Sequence, residues 1–207
     1  MIGRAAELAT LLAAEQRAAT GAGGAIELVG PPGIGKSRLL AEVEARCTGD
    51  VLWAQGDIYA GARPYAPFER LLRTRWEIAE NAGSEVLAAR LEAVTRKSAP
   101  HLLPWLPLIA IVAGLHLPTT AQVDQTDATV RKQRLEELTS ELLGVVLNGP
   151  SVLIFDDAHL MDDASLDLIG KLAADAQQRP WLVIVSRRLQ GRSPLAEAQP
   201  RRSSWGR

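Results

Sequence analysis

The chain has 207 residues, 47% of them apolar, and a formal net charge of −1 at pH 7. This length suits one ordinary domain with a sizeable core, and the apolar content excludes a chain that is disordered throughout. The balanced charge gives no sign of a nucleic acid or an anionic membrane as the main partner. Cys47 is the only cysteine, which excludes an internal disulfide and fits a reducing compartment.

The first quarter of the chain alternates helical and strand patterns. Leu8, Leu11 and Leu12 lie on one face of an alanine-rich helix, which ends in a glycine-rich stretch. A short buried strand is predicted at Ala25–Val29. A glycine loop and a second helix follow, and another strand is predicted at Val51–Gln55. This order is typical of an α/β fold.

The middle of the chain, from Arg63 to Ala121, is predicted to be helical and irregular. Within it, His101–Pro118 is apolar enough to raise the question of a membrane span. It is shorter than the roughly 20 apolar residues that a bilayer requires, and it contains internal prolines. We therefore expect a kinked, buried helical segment or a partner-facing surface, and no membrane partner. A strong amphipathic helix follows, with Leu135, Leu138 and Leu142 near one face.

The last third contains the most convincing strand, "SVLIFDD", a continuous apolar run that stops at two aspartates. A helix and another buried strand, "WLVIVS", come after it. Strands alternating with helices predict a three-layer α/β domain with a mostly parallel sheet over residues 1–188. Residues 189–207 are rich in Arg, Pro and Ser, and we expect a basic, disordered tail there.

The stretch "GPPGIGKS" fits the phosphate-loop pattern G-x-x-x-x-G-K-[ST] in full, with a strand before it and a helix after it. Its glycines let several backbone N–H groups converge on phosphates, and the following helix adds its positive end. We expect Lys36 to reach the β- and γ-phosphates and Ser37 to ligate Mg²⁺. The candidate nucleotide-binding residues are Gly30, Pro31, Pro32, Gly33, Ile34, Gly35, Lys36, Ser37 and Arg38.

Two further groups of residues follow predicted strands. Asp156 ends an apolar strand where a Mg²⁺-holding carboxylate is needed, and Asp157 is the candidate general base for the attacking water. A simple strand cap is the alternative for this pair. Ser186, Arg187 and Arg188 follow the next strand, where a polar or cationic group could sense the γ-phosphate. An exposed basic loop is the alternative there. The three histidines and Cys47 lack zinc-ligand spacing.

Six segments resemble, in order, the STAND-class AAA-like ATPase modules of bacterial adenylate cyclase-like proteins and large LuxR-type regulators. They are "IGRAAELATLL", "GPPGIGKSRLL", "RPYAPFERLLR", "RKQRLEELTSELL", "LIFDDAHLMDDASLDLI" and "PWLVIVSRR". The resemblance implies a P-loop NTPase fold and a cytoplasmic signalling module. It also implies ATP over GTP, because Gly3 and Arg4 are similar to a box that packs near adenine. Arg187 is similar to the sensor position, which makes Lys36, Asp157 and Arg187 the candidate catalytic residues.

The chain departs from that family at several points. Ala5 stands where the N-terminal box often has an acid, and Leu160 where many members have tryptophan. Such modules continue into a further strand, a lid and an output domain, so we expect the sheet to be truncated before its last strand. A protein partner or a missing output domain is then implied.

The predicted function is an ATP-binding signal-transduction module with slow, Mg²⁺-dependent hydrolysis. A partner's arginine can supply much of the rate in phosphoryl transfer. The first alternative is therefore a nucleotide-binding fragment without turnover. A second alternative is an origin-recognition-type ATPase, which requires a winged helix and a basic face. A small-molecule kinase fits less well, because two acids ending a strand suit water activation better than acceptor binding.

Overall fold

The computed structural model describes residues 4–57 and 63–196, together with the backbone of residues 201–204. The chain divides into two compact units, one made of Met1–Gly61 with Gly149–Arg207 and the other of Ala62–Asn148. The sequence pattern predicts one domain over residues 1–188. The division separates the helical middle of the chain from the part that contains the sheet, which we call the sheet unit.

The sheet unit contains five parallel strands in the order β2-β3-β4-β1-β5. The strands are β1 Gly24–Val29, β2 Asp50–Gln55, β3 Ser151–Asp156, β4 Trp181–Arg187 and β5 Arg201–Ser204. Every residue of β3 and β4 is buried, as the continuous apolar runs predict for central parallel strands. The predicted three-layer α/β fold with a mostly parallel sheet is confirmed. Strand β4 lies between β1 and β3, so it separates the phosphate loop from the two aspartates.

The structure differs from the prediction at the last strand. Arg201–Ser204 pair in parallel with Ile26–Val29 of β1. The sheet therefore has a fifth strand where the sequence predicts truncation. Hydrophobic periodicity does not predict this strand, because its sequence, "RRSS", contains no apolar residue. The strand lies at the edge of the sheet and pairs, among the described strands, with β1 alone.

Helices cover the sheet. The helices of this unit are α1 Ala5–Ala19, α2 Lys36–Glu44 and α8 Asp163–Asp175. Apolar residues of α1 and α2, among them Leu11 and Leu40, pack with Ile26, Leu28 and Ile184 of the sheet. Side chains at alternate strand positions point to the opposite face. Helix α8, with Leu168 fully buried, contacts β1 and β4.

The second unit is helical. Its helices are α3 Ala66–Arg75, α4 Ser84–Ser98, α5 Leu106–Ala110, α6 Ala121–Asp124 and α7 Ala128–Val146. Around α5, the chain forms 3₁₀ turns at Pro100–Trp105 and Ile111–Ala113, and most of the apolar side chains are buried. The expected kinked, buried segment is confirmed. Within the described residues, no helix combines the length and the apolarity needed to cross a bilayer.

Candidate functional site

The phosphate-loop segment connects β1 to α2. Gly33 has φ +74° and Gly35 has φ +94°, which is left-handed backbone that favours glycine. A Cβ built on either glycine would meet nothing within 4 Å, so the need for glycine is conformational and the space around the loop is open. Gly35 is also the N-cap of α2, whose first N–H groups have no partner within the helix. The loop therefore presents backbone donors to open space.

Two side chains hold the loop in this shape. The Nζ of Lys36 donates hydrogen bonds to the carbonyl oxygens of Gly30 at 3.1 Å and Pro31 at 3.2 Å. From the start of α1, the Nη2 of Arg4 donates to the carbonyl oxygen of Ile34 at 2.7 Å. Arg4 thus contacts the predicted loop, whereas Gly3 lies outside the described residues. Lys36 is 6% exposed, and its charge lies at the loop.

A cavity of about 270 Å³ opens at this loop. It brings together the loop, the first turn of α2, one of the two aspartates and one arginine from the segment after β4. Its lining residues are Pro32, Gly33, Gly35, Lys36, Ser37, Arg38, Asp157 and Arg188. Ser37 and Arg38 are exposed, so their side chains are accessible to a ligand. Segments far apart in the sequence therefore meet at one pocket.

Asp156 is the last residue of β3 and is 1% exposed. Its Oδ1 accepts hydrogen bonds from the Ser186 hydroxyl and, at 3.0 Å, from the backbone N–H of Asp157. Because β4 lies between β3 and β1, the end of β3 is about two strand spacings, or roughly 10 Å, from the end of β1. This separation suits a carboxylate that acts on a metal through a water molecule.

Asp157 has φ +51°, an uncommon conformation for a residue other than glycine. Its N–H donates to Asp156 Oδ1 and, at 3.1 Å, to Ser186 Oγ. These bonds hold the strained backbone in place, and strain of this kind clusters at functional sites. The Asp157 side chain is 32% exposed and lines the cavity. The arrangement leaves a carboxylate that is accessible to water.

Arg187 does not line the cavity. Its Nε donates to Glu27 Oε1 at 2.8 Å and its Nη2 to Glu27 Oε2 at 3.3 Å, and both residues are buried. The sensor position expected from the resemblance is therefore taken up in an internal ion pair. Arg188, one residue later, is exposed and lines the cavity instead.

The model of the family described as "AAA ATPase domain" matches residues 1–185. The chain belongs to the AAA ATPase domain family. Membership implies that this domain uses a nucleotide and usually Mg²⁺. The prediction of an AAA-like P-loop module is thereby confirmed. No curated protein matches the chain.

Among solved structures, this AAA ATPase domain is similar to a Signal Transduction ATPase with Numerous Domains (STAND) protein with a tetratricopeptide repeat sensor from Pyrococcus horikoshii. The two are 16% identical with a TM-score of 0.44, and the match covers 99% of this chain and 23% of that chain. The chain therefore spans about a quarter of the length of the protein that it matches.

In this AAA ATPase domain, a magnesium ion would require few protein ligands. No cluster of three or more His, Cys, Asp or Glu side chains within residues 4–57 and 63–196 is placed to hold a metal ion. Mg²⁺ keeps several waters and takes one or two protein oxygens together with substrate phosphates. Ser37 lines the cavity and would supply a hydroxyl ligand. Asp156 is 1% exposed and would act on the metal only through water.

The AAA ATPase domain also has a histidine at the site that the sequence analysis did not single out. His159 Nδ1 lies 3.9 Å from Asp157 Oδ1, and its side chain is 9% exposed. Burial lowers the pKa of His159, Arg188 and Lys36 add to the lowering, and the two aspartates oppose it. The imidazole is therefore neutral near pH 7. In the sequence, the only indication that His159 lies near the site is its position three residues after Asp156.

Proposed function

We propose that the chain is an ATP-binding signal-transduction module of the STAND class, with slow, Mg²⁺-dependent ATP hydrolysis as a regulatory switch. The observation that carries the proposal is the cavity at which the phosphate loop meets Asp157 and Arg188. Family membership supports the nucleotide, and the six ordered sequence segments support the STAND class. We also propose a cytoplasmic location and a protein partner or output domain that reads the nucleotide state.

Binding rests on the loop and on α2. The backbone donors around Gly33 and Gly35 and the positive end of α2 face the phosphates. Lys36 supplies a charge that shifts from the carbonyl oxygens of the loop to the phosphate oxygens. Ser37 and Asp156 would hold Mg²⁺, which would neutralise charge on the phosphates. Arg4 keeps the loop in shape through Ile34.

Hydrolysis rests on Asp157 as the general base. A base must lie within hydrogen-bond reach of the water from which it takes a proton. Asp157 meets this condition better than Asp156, because its carboxylate lines the cavity whereas Asp156 is 1% exposed. The role of sensing the γ-phosphate passes from Arg187 to Arg188, which lines the cavity.

Binding without turnover is the second candidate. It is favoured by one observation, namely that Arg187, the cation expected to act on the phosphates, is paired with Glu27. A catalytic arginine supplied by a neighbour accounts for much of the rate in many phosphoryl-transfer enzymes. A module that lacks this arginine in isolation would bind ATP and cleave it slowly.

The experiment that tests the proposal measures the dissociation constants of ATP and GTP, with and without Mg²⁺, for the purified chain. We expect ATP to bind more tightly than GTP, and Lys36→Ala to weaken ATP binding about tenfold or more, because a charged hydrogen bond is lost. Lys171→Ala is the matched control, since Lys171 lies on α8 and pairs with Asp175 at 2.7 Å. Equal ATP binding by native protein and Lys36→Ala would contradict the proposal.

A further inference from the structure

The two ring nitrogens of His159 are buried and lack a hydrogen-bond partner among the described residues. Buried polar groups in proteins are nearly always hydrogen-bonded, and exceptions often have a functional reason. His159 lies in the short turn Ala158–Leu160 that follows Asp157. Its unused hydrogen-bonding capacity is therefore located beside the proposed general base.

The Asp157 carboxylate lies close to the His159 ring. The distance of 3.9 Å between Nδ1 and Oδ1 exceeds a hydrogen bond by about 1 Å. Asp156, Arg188 and Lys36 also act on the imidazole through their charges. On another side, a Cβ at Gly191 would lie 3.5 Å from the Cβ of His159. A hydrogen bond between the two groups requires Nδ1 and Oδ1 to approach each other by about 1 Å.

Asp157 needs such a bond. Its backbone is held by the bonds from its N–H to Asp156 and Ser186, but its side chain is 32% exposed. A carboxylate that takes a proton from water must be aimed at that water, and a misplacement of about 1 Å can cost a factor of roughly 100 in rate. A neutral imidazole carries one N–H, which can fix one carboxylate oxygen and leave the other for the water.

We propose that His159 is a positioning residue for Asp157, with its Nδ1–H closing onto the Asp157 carboxylate and aiming it at the attacking water. The inference rests on the proposed function. It concerns the orientation of the base and not the binding of ATP, so the two can fail separately.

Two substitutions separate the ring nitrogens. His159→Asn places an amide N–H near the position of Nδ1, whereas His159→Gln places one near Nε2. We expect His159→Gln to lower kcat about tenfold or more with KM nearly unchanged, because the Asp157 carboxylate loses its orientation while ATP binding is retained. His159→Asn should keep kcat within about threefold of native. Native-like kcat in His159→Gln, or equal losses in both variants, would overturn the inference.

A double-variant cycle tests whether His159 acts through Asp157. If it does, His159→Gln should have little further effect on kcat in an Asp157→Asn background. Independent, multiplying losses would contradict the inference. Thermal unfolding and ATP binding of each variant show whether the fold and the nucleotide site are intact.

The tautomer of His159 provides a readout without turnover. In ¹⁵N NMR spectra of the nucleotide-free native chain, the inference requires a predominantly Nδ1-protonated ring. Asp157→Ala should shift the population towards the Nε2-protonated form. An Nε2-protonated ring in the native chain, or a tautomer that ignores Asp157→Ala, would overturn the inference. Failure of ATP binding would instead count against the proposed function and would leave the NMR result valid.

Discussion

The guanidinium of Arg187 and the carboxylate of Glu27 form an ion pair between the neighbouring strands β4 and β1. The two N–O distances are 2.8 and 3.3 Å, and the Glu27 side chain has no exposed surface. The Ser193 hydroxyl donates to the same carboxylate at 2.5 Å. The pair therefore joins the end of β4, and the segment after it, to the strand that leads into the phosphate loop.

Breaking this pair should destabilise the chain severely. Glu27→Leu leaves the Arg187 charge buried without its partner, and such a change costs about 3–5 kcal/mol. Urea denaturation of native and variant chains measures the loss of unfolding free energy. The double variant Glu27→Leu/Arg187→Met, which removes both charges, should recover most of the loss. A loss below about 1 kcal/mol in the single variant would show that the pair is not buried in solution.

Substitution of Arg188 should affect ATP binding, whereas substitution of Arg187 should affect the stability of the fold. Arg188→Ala removes an exposed cation at the cavity, so we expect weaker ATP binding by about threefold to tenfold and an almost unchanged unfolding free energy. Arg187→Ala should mainly lower the unfolding free energy. Calorimetric ATP titration and urea denaturation of both variants separate the two effects. The assignment fails if Arg188→Ala binds ATP as the native chain does.

Asp157→Asn should abolish most hydrolysis and spare binding. Asparagine adopts left-handed backbone at least as readily as aspartate, so the turn should persist, but an amide cannot accept the proton. We expect kcat to fall by about 10²–10⁴ and the ATP dissociation constant to stay within about twofold. Asp163→Asn, an exposed change in the first turn of α8, is the control. Unchanged turnover in Asp157→Asn would remove Asp157 from the mechanism.

Two neighbouring glycines should differ sharply in their tolerance of alanine. A Cβ at Gly23 would lie 2.2 Å from the carbonyl oxygens of Ala176 and Arg179, so backbone has to move. A Cβ at Gly24 would meet nothing within 4 Å. We expect Gly23→Ala to cost about 1–3 kcal/mol or more, and Gly24→Ala to be neutral or slightly stabilising. Thermal and urea unfolding measure both. Similar stabilities would contradict this packing.

The stability of the chain should depend on His159 in mildly acidic solution. Burial lowers the pKa of His159 below the ordinary value of 6.5, so the unfolded chain takes up this proton first as the pH falls. The contribution of neutral His159 to the unfolding free energy is therefore present above about pH 6.5, and it is lost as the pH falls towards the folded-state pKa. Urea unfolding at several pH values should give a smaller pH slope for His159→Gln than for the native chain. Identical slopes would exclude this contribution.

The phosphate loop and the central strands could be predicted because their signals are local. "GPPGIGKS" has the complete spacing, and the apolar run of Ser151–Asp156 ends where the acids must be. These patterns locate Lys36, Ser37 and Asp157, which the structure brings to one cavity. Periodicity and motif spacing report on neighbours along the chain, and each of the two segments, around Lys36 and around Asp157, has such a local signal.

The features that the sequence did not reveal depend on distant residues. The direction of the Arg187 side chain is set by Glu27, which is 160 positions away. The sequence around Arg187 therefore could not show that this side chain does not line the cavity. Strand β5 has no apolar pattern and is positioned by its pairing with β1. The position of His159 beside Asp157 depends on the left-handed turn at Asp157, which the two adjacent acids do not predict.

The left-handed backbone at Asp157 has an evolutionary consequence. Few residues other than glycine, asparagine and aspartate adopt this conformation readily, so the range of replacements open to descendants of this domain is narrow. Asparagine is the replacement that keeps both the turn and the shape of the side chain. If the proposed function holds, a single Asp157→Asn substitution would let a descendant lose ATP hydrolysis and keep nucleotide binding, without passing through an unfolded variant.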